Sequence, residues 1–176
     1  METSEVICAV STAPGIGAIA VLRMSGTGCI ALTDRIFESP SGKKLTGAKA
    51  NTVHFGRILE EGCLLDEVLV TIFHAPHSFT GEESVEIACH GSLYIQQRLL
   101  QLLVNQGARL ATPGEFTQRA FLNGKMDLSQ AEAVADLIAS SSAASHRMAL
   151  KQMKGGFSDE LMKLRADLLH ITYLLE

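Results

Sequence analysis

The chain has 176 residues, 47% of them hydrophobic, with 15 Lys and Arg against 19 Asp and Glu, for a formal net charge of −4. That apolar content supports a packed core and excludes a disordered chain. The acidic balance argues against a protein that grips nucleic-acid phosphates with its whole surface, although a local basic face stays open.

Uninterrupted apolar runs such as Ile19-Ala20-Val21-Leu22 are far too short to span a bilayer. Glu2 and Glu5 stand where an export signal would carry Lys or Arg, so a cytoplasmic location is expected. Cys8, Cys29, Cys63 and Cys89 are widely and irregularly spaced and read as reduced, packed thiols.

In chain order, residues 6–10 and 18–24 read as strands separated by a turn at Pro14-Gly15. Cys29 to Phe37 has helical spacing, and Ser39 to Ala50 reads as a surface loop. Strands at 53–59 and 67–73 pair across Glu60-Glu61-Gly62, and Ser84 to His90 forms another strand. Leu93 to Val104 is an amphipathic helix closed by Gly107, followed by a short strand over 108–111. This order implies an α+β sandwich. Thr112-Pro113-Gly114-Glu115 and Asp127-Leu128-Ser129-Gln130 are two helix starts of the capping-box type. Beyond Lys125 the composition turns helical. Phe157, Leu161, Leu164, Leu168, Ile171 and Leu175 make an a/d stripe that needs a partner helix, as expected of a chain cut within a longer helical bundle.

Gly15-Ile16-Gly17-Ala18-Ile19-Ala20 matches the short dinucleotide fingerprint G-x-G-x-x-A. That motif needs a helix to open at its last residue, whose N-terminus holds the pyrophosphate. Here Ile19 to Met24 has strand character, so the glycines read as a crowded turn. His74-Ala75-Pro76-His77 and Cys89-His90 raise the question of zinc. Pro76 breaks helical ligand spacing, and adjacent strand residues point to opposite faces, so no metal site is expected. A Cys–His nucleophilic pair fails on the same geometry.

Three charges stand out. Arg23 lies alone on an apolar strand, on the face of Ile19 and Val21, and requires an anionic partner in the protein or a ligand. Glu86 shares a face with Ala88 and His90. It reads either as part of the wet face of an antiparallel sheet or as an inward carboxylate able to take a planar pair of N–H donors. Lys125 follows the turn Asn123-Gly124 and can be aimed at an anion. Arg147, Lys151 and Lys154 form a basic helical stripe, which reads as solvated or as an RNA contact.

The blocks TAPGIGAIAVLRMSG, HSFTGEESVEIACHG and PGEFTQRAFLNGKMDLSQAEAVADLI resemble the N-terminal region of the MnmE (TrmE) family of tRNA modification GTPases. The resemblance runs in family order over nearly the whole chain. It implies an aminomethyltransferase-like folate-binding and dimerisation domain over 1–118. The start of an α-helical domain follows over 119–176. Family folate contacts carry over to Arg23, Glu86 and Lys125, with 5-formyltetrahydrofolate or another one-carbon tetrahydrofolate as the ligand. The implied partners are a second copy of the chain, the flavoprotein MnmG and tRNA, whose wobble uridine the full enzyme modifies with an aminomethyl-type group. The full-length family also binds GTP with Mg and K. This chain contains no G-x-x-x-x-G-K-[ST], so no GTPase activity is expected of it alone. The family often has Arg or Lys where this chain has Ile16. The rival reading is an assembly module without ligand that contacts tRNA or the partner protein through its helical face.

Overall fold

The computed structural model describes residues 5–175, excepting the side chains of 156–160, 171 and 173–175. The chain forms two compact units, one running to Phe116 and the other starting at Thr117.

The first unit is built on a mixed sheet of seven strands: β1 Ile7–Val10, β2 Ile19–Ser25, β3 Phe37–Glu38, β4 Thr52–Glu60, β5 Cys63–Phe73, β6 Ser84–His90 and β7 Arg109–Leu110. Their order is β3-β4-β5-β6-β2-β1-β7, antiparallel throughout except for the parallel β1–β7 pair. Strict alternation decides which face is buried. On β2, Ala20, Leu22 and Met24 are buried; on β6, Val85, Ile87 and Cys89; on β5, Val68, Val70 and Ile72. Helices α1 (Cys29–Thr33) and α2 (Leu93–Asn105) cover this face, with Leu99 and Leu103 fully buried in the same core. The opposite face leaves Ile19, Val53, Phe55 and Leu69 exposed. Among the described residues, no helix is long and apolar enough to cross a membrane.

Two local expectations are corrected. Helix α1 stops at Thr33, and Phe37 belongs to β3, an edge strand pairing with β4. Its ring lies directly over Gly56, where an added Cβ would come within 2.3 Å of the Phe37 ring. That contact between distant residues overrides the helical spacing of 29–37. The loop 39–50 also contains a 3-10 turn at Leu45–Gly47, pinned by Asp34, which accepts from the N–H of Leu45 (2.7 Å) and Thr46 (3.0 Å).

Helix α3 (Glu115–Leu122) begins with Glu115 reaching back to the N–H (2.8 Å) and hydroxyl (3.1 Å) of Thr112. Arg109 adds two donors to the same carboxylate, at 2.7 and 3.1 Å. These hydrogen bonds, Arg109 foremost, lower the Glu115 pKa from 4.5 to about 2. A depressed carboxylate stabilises the fold above its unfolded pKa and loses that contribution as pH falls through the folded value. Glu115→Gln should therefore cost about 2 kcal/mol at neutral pH. In urea unfolding followed against pH, the gap between the two proteins should close between about pH 5 and pH 2. A gap independent of pH would show that the charge is not what matters.

The second unit contains α4 (Leu128–Ala139), α5 (Ala143–Met153) and α6 (Gly156–Leu175). Asp127 caps α4 as the sequence implies. Its side chain accepts from the Gln130 N–H (2.8 Å), and the Gln130 side chain accepts from the Asp127 N–H (2.9 Å). Ser142 and Ser145 form a second box at α5, which breaks what the sequence reads as continuous helical territory. Leu161, Leu164 and Leu168 of the a/d stripe are exposed along α6, while the side chains of Phe157, Ile171 and Leu175 lie outside the described residues.

Candidate functional site

Register places Arg23 of β2 directly opposite Glu86 of β6. In an antiparallel pair such residues share a face, and here it is the face not covered by α1 and α2. Nε and Nη2 of Arg23 both donate to Oε1 of Glu86, at 2.9 and 2.7 Å. Glu86 Oε2 takes no hydrogen bond from any described residue, and both side chains are 29% exposed. The guanidinium also lies 5.2 Å from the Phe79 ring centroid and 5.8 Å from that of Phe116. Each ring adds a cation–π attraction of about 0.5–1 kcal/mol and restricts where the guanidinium can turn.

This arrangement answers what Arg23 does on an apolar strand: its anionic partner is Glu86. It also changes what Glu86 can offer. With Oε1 engaged twice, the carboxylate presents one oxygen, Oε2, to an incoming donor. A planar ligand with two adjacent N–H groups gains a second bond only if Arg23 gives up part of its hold on Oε1. The two phenylalanines went unnoticed in the sequence. Their only signal was position: Phe79 lies in HSFTGEE and Phe116 in PGEFTQR, in a chain with only seven Phe.

Lys125 lies in the second unit, just past the end of α3, and its N–H donates to the Ala120 carbonyl at 2.9 Å. Arg147 and Lys151 are exposed on α5, with exposed Lys154 at its C-terminal cap.

The glycine-rich stretch has a structural role. Ala18 leads directly into strand β2, so no helix N-terminus faces a phosphate. Gly17 N–H donates to the Gly91 carbonyl (3.1 Å), and Gly91 N–H to the Ala18 carbonyl (3.2 Å). Gln96 of α2 donates to the carbonyls of both Gly15 and Gly91, at 3.2 Å each.

His90 and Asp66 form an unanticipated pair. Asp66 is buried and takes both the His90 backbone N–H (2.8 Å) and ring Nδ1 (2.7 Å). His74 Nε2 bonds to the Ala48 carbonyl at 3.0 Å. Cys89 points into the core, away from His90, and burial pushes its thiol up to about 11. Cys8 is likewise raised to about 11 by burial. Among the described residues, no group of three or more His, Cys, Asp or Glu could hold a metal.

Residues 6–125 match the family described as GTP-binding protein TrmE N-terminus, and residues 128–176 match the MnmE helical domain. The chain belongs to the MnmE/TrmE family. Curated relatives named tRNA modification GTPase MnmE agree. The protein from Parabacteroides distasonis is 60% identical over 172 residues, covering 97% of this chain and 37% of the relative. That from Porphyromonas gingivalis is 58% identical over 174 residues, 98% of this chain and 36% of the relative. A third, from Flavobacterium johnsoniae, is 53% identical over 176 residues, 100% of this chain and 38% of the relative. The chain thus spans little more than a third of the length of these MnmE proteins. It corresponds to the family's N-terminal and helical regions.

Proposed function

We propose that the first unit binds a reduced, one-carbon-carrying folate such as 5-formyltetrahydrofolate, and homodimerises. In the whole enzyme this module would serve the modification of a wobble uridine in tRNA. The flavoprotein MnmG would be the partner, GTP with Mg and K would act in a part not included here, and all of this would occur in the cytoplasm. The single observation that carries the reading is the half-engaged carboxylate of Glu86, held by Arg23, whose guanidinium lies against two aromatic rings.

The chemistry of the donor set suits a reduced pterin. Glu86 Oε2 accepts one N–H of the adjacent N3–H and 2-amino pair, and Oε1 accepts the other as Arg23 shifts. Phe79 and Phe116 supply apolar surface beside a flat heterocycle. Arg23 keeps the carboxylate ionised and oriented, a positioning role. The same family motif assigns Lys125 as a further cation for the ligand. Dimerisation would bury the exposed Ile19, Val53, Phe55 and Leu69 of the open sheet face. The other reading, a ligand-free assembly module, has no comparable observation in its favour.

Equilibrium titration of the chain with 5-formyltetrahydrofolate tests this. Saturable binding is expected, weakened in Lys125→Gln and more strongly in Glu86→Gln. Equal affinity in wild type and Glu86→Gln removes Glu86 from the site. Sedimentation over a range of concentrations checks the dimer, and a monomer at every concentration refutes it.

A further inference from the structure

Apart from Arg35, whose Nη1 donates to the Gln106 carbonyl at 3.4 Å, the Lys and Arg side chains of the first unit fall into two kinds. Arg23, Arg57, Arg98 and Arg109 each lie against a carboxylate: Glu86, Glu67, Glu60, and Glu5 together with Glu115. Lys43, Lys44 and Lys49 are different. Among the described residues their ammonium groups have no ion pair or hydrogen bond, and all three line one concavity of about 460 Å³, together with Gly47, Ala48, Thr52 and His54. Residues 39–56 contain no Asp or Glu at all, in a chain whose net charge is −4. Like charges gathered without counter-ions repel one another, so the fold gains nothing from this arrangement by itself.

The loop that carries these lysines is held firmly. Leu45 is buried in the core. Asp34, which packs against the loop, has both oxygens engaged by the backbone N–H groups of Leu45 and Thr46. His74 fixes the Ala48 carbonyl, and Thr52 Oγ1, 2.7 Å from His54 Nε2, donates to the Lys49 carbonyl at 2.6 Å. Three strongly hydrated point charges therefore project from an ordered frame. That suits successive phosphates of a backbone better than one carboxylate, which the paired arginines recognise by their planar fork.

We propose that the Lys43/Lys44/Lys49 concavity is a contact site for the phosphate backbone of RNA. The choice of RNA rests on the family reading, since the relatives are named as tRNA-modifying; the location rests on the structure alone. The contact is electrostatic and reads no sequence.

The test is fluorescence anisotropy of a labelled tRNA transcript with the whole chain, over a series of KCl concentrations. Wild type should bind saturably. Lys43→Gln/Lys44→Gln/Lys49→Gln should bind at least tenfold more weakly at low salt, and its slope of log affinity against log salt should be shallower by about 2, from roughly 0.7 per phosphate contact. The triple arginine variant should retain binding. The triple glutamine variant should also bind 5-formyltetrahydrofolate like wild type, so failure here leaves the folate reading standing. The proposal is overturned if the glutamine variant keeps wild-type affinity and slope, or if wild type does not bind tRNA. It also falls if only Arg147→Gln/Lys151→Gln/Lys154→Gln loses binding, which would move the contact to the helical stripe. Displacement of the RNA by millimolar inorganic phosphate at constant ionic strength would make this a free-phosphate site and would likewise reject it.

Discussion

Gly91→Ala should lose about 3 kcal/mol of stability or more, enough to leave much of the protein unfolded at moderate temperature. A Cβ on Gly91 would lie 2.3 Å from the Gly17 carbonyl oxygen and 2.7 Å from its carbon, both backbone atoms. Backbone cannot rotate aside as a side chain can. Relief would require separating the two segments joined by the Gly17–Gly91 and Gly91–Ala18 hydrogen bonds and by Gln96. Gly17→Ala is the matched control. Its Cβ meets nothing nearer than the Ile19 carbonyl, at 3.6 Å, an ordinary contact. Urea denaturation of both variants decides the matter: similar losses would mean that the close approach at Gly91 is not the reason for its glycine.

The second large effect concerns binding. Glu86→Gln should weaken 5-formyltetrahydrofolate by about 1–3 kcal/mol, roughly 5- to 150-fold, because ligand donors would face an amide that repels one of them. The same substitution should barely move stability. The Arg23–Glu86 pair is partly exposed, and such pairs contribute about 0.2–1 kcal/mol. A double-mutant cycle separates direct contact from positioning. If Arg23 works by holding Glu86, then Arg23→Met should weaken the ligand in wild type and change little in a Glu86→Ala background. Additive losses would mean instead that Arg23 touches the ligand itself. Arg23→Lys should behave nearly as badly as Arg23→Met, since an ammonium cannot donate twice to Oε1 from this strand while keeping the contacts with Phe79 and Phe116.

Much of the framework was legible in the sequence. Strand β6 runs from Ser84 to His90 as its alternation predicted, and β2, β4 and α2 agree within a residue or two at most ends. Period-2 patterning put Arg23 and Glu86 on the same kind of face, opposite the buried Leu22, Met24, Val85 and Ile87. Asp127 could be read as a cap because capping uses residues three apart. The N-terminal half of β5 was missed, since Cys63 to Asp66 lacks a clear alternation and is made a strand by pairing with β4. The short β3 was missed because Phe37 is held by Gly56 across the sheet.

Local spacing alone thus determined the α+β class, the Asp127 cap and which residues of a strand share a face. It also rejected a dinucleotide role for Gly15 and Gly17, because a helix start is a local property. What the tertiary structure decided was pairing. Sequence separation conceals that Arg23 and Glu86 are register partners, that two phenylalanines flank the guanidinium, and that Asp66 holds His90. The same holds for the three lysines on one concavity with their neighbouring acid already engaged. The physical reason is common to all of these: side-chain periodicity says which way a residue points, but only the strand order and register of the folded sheet say what it meets.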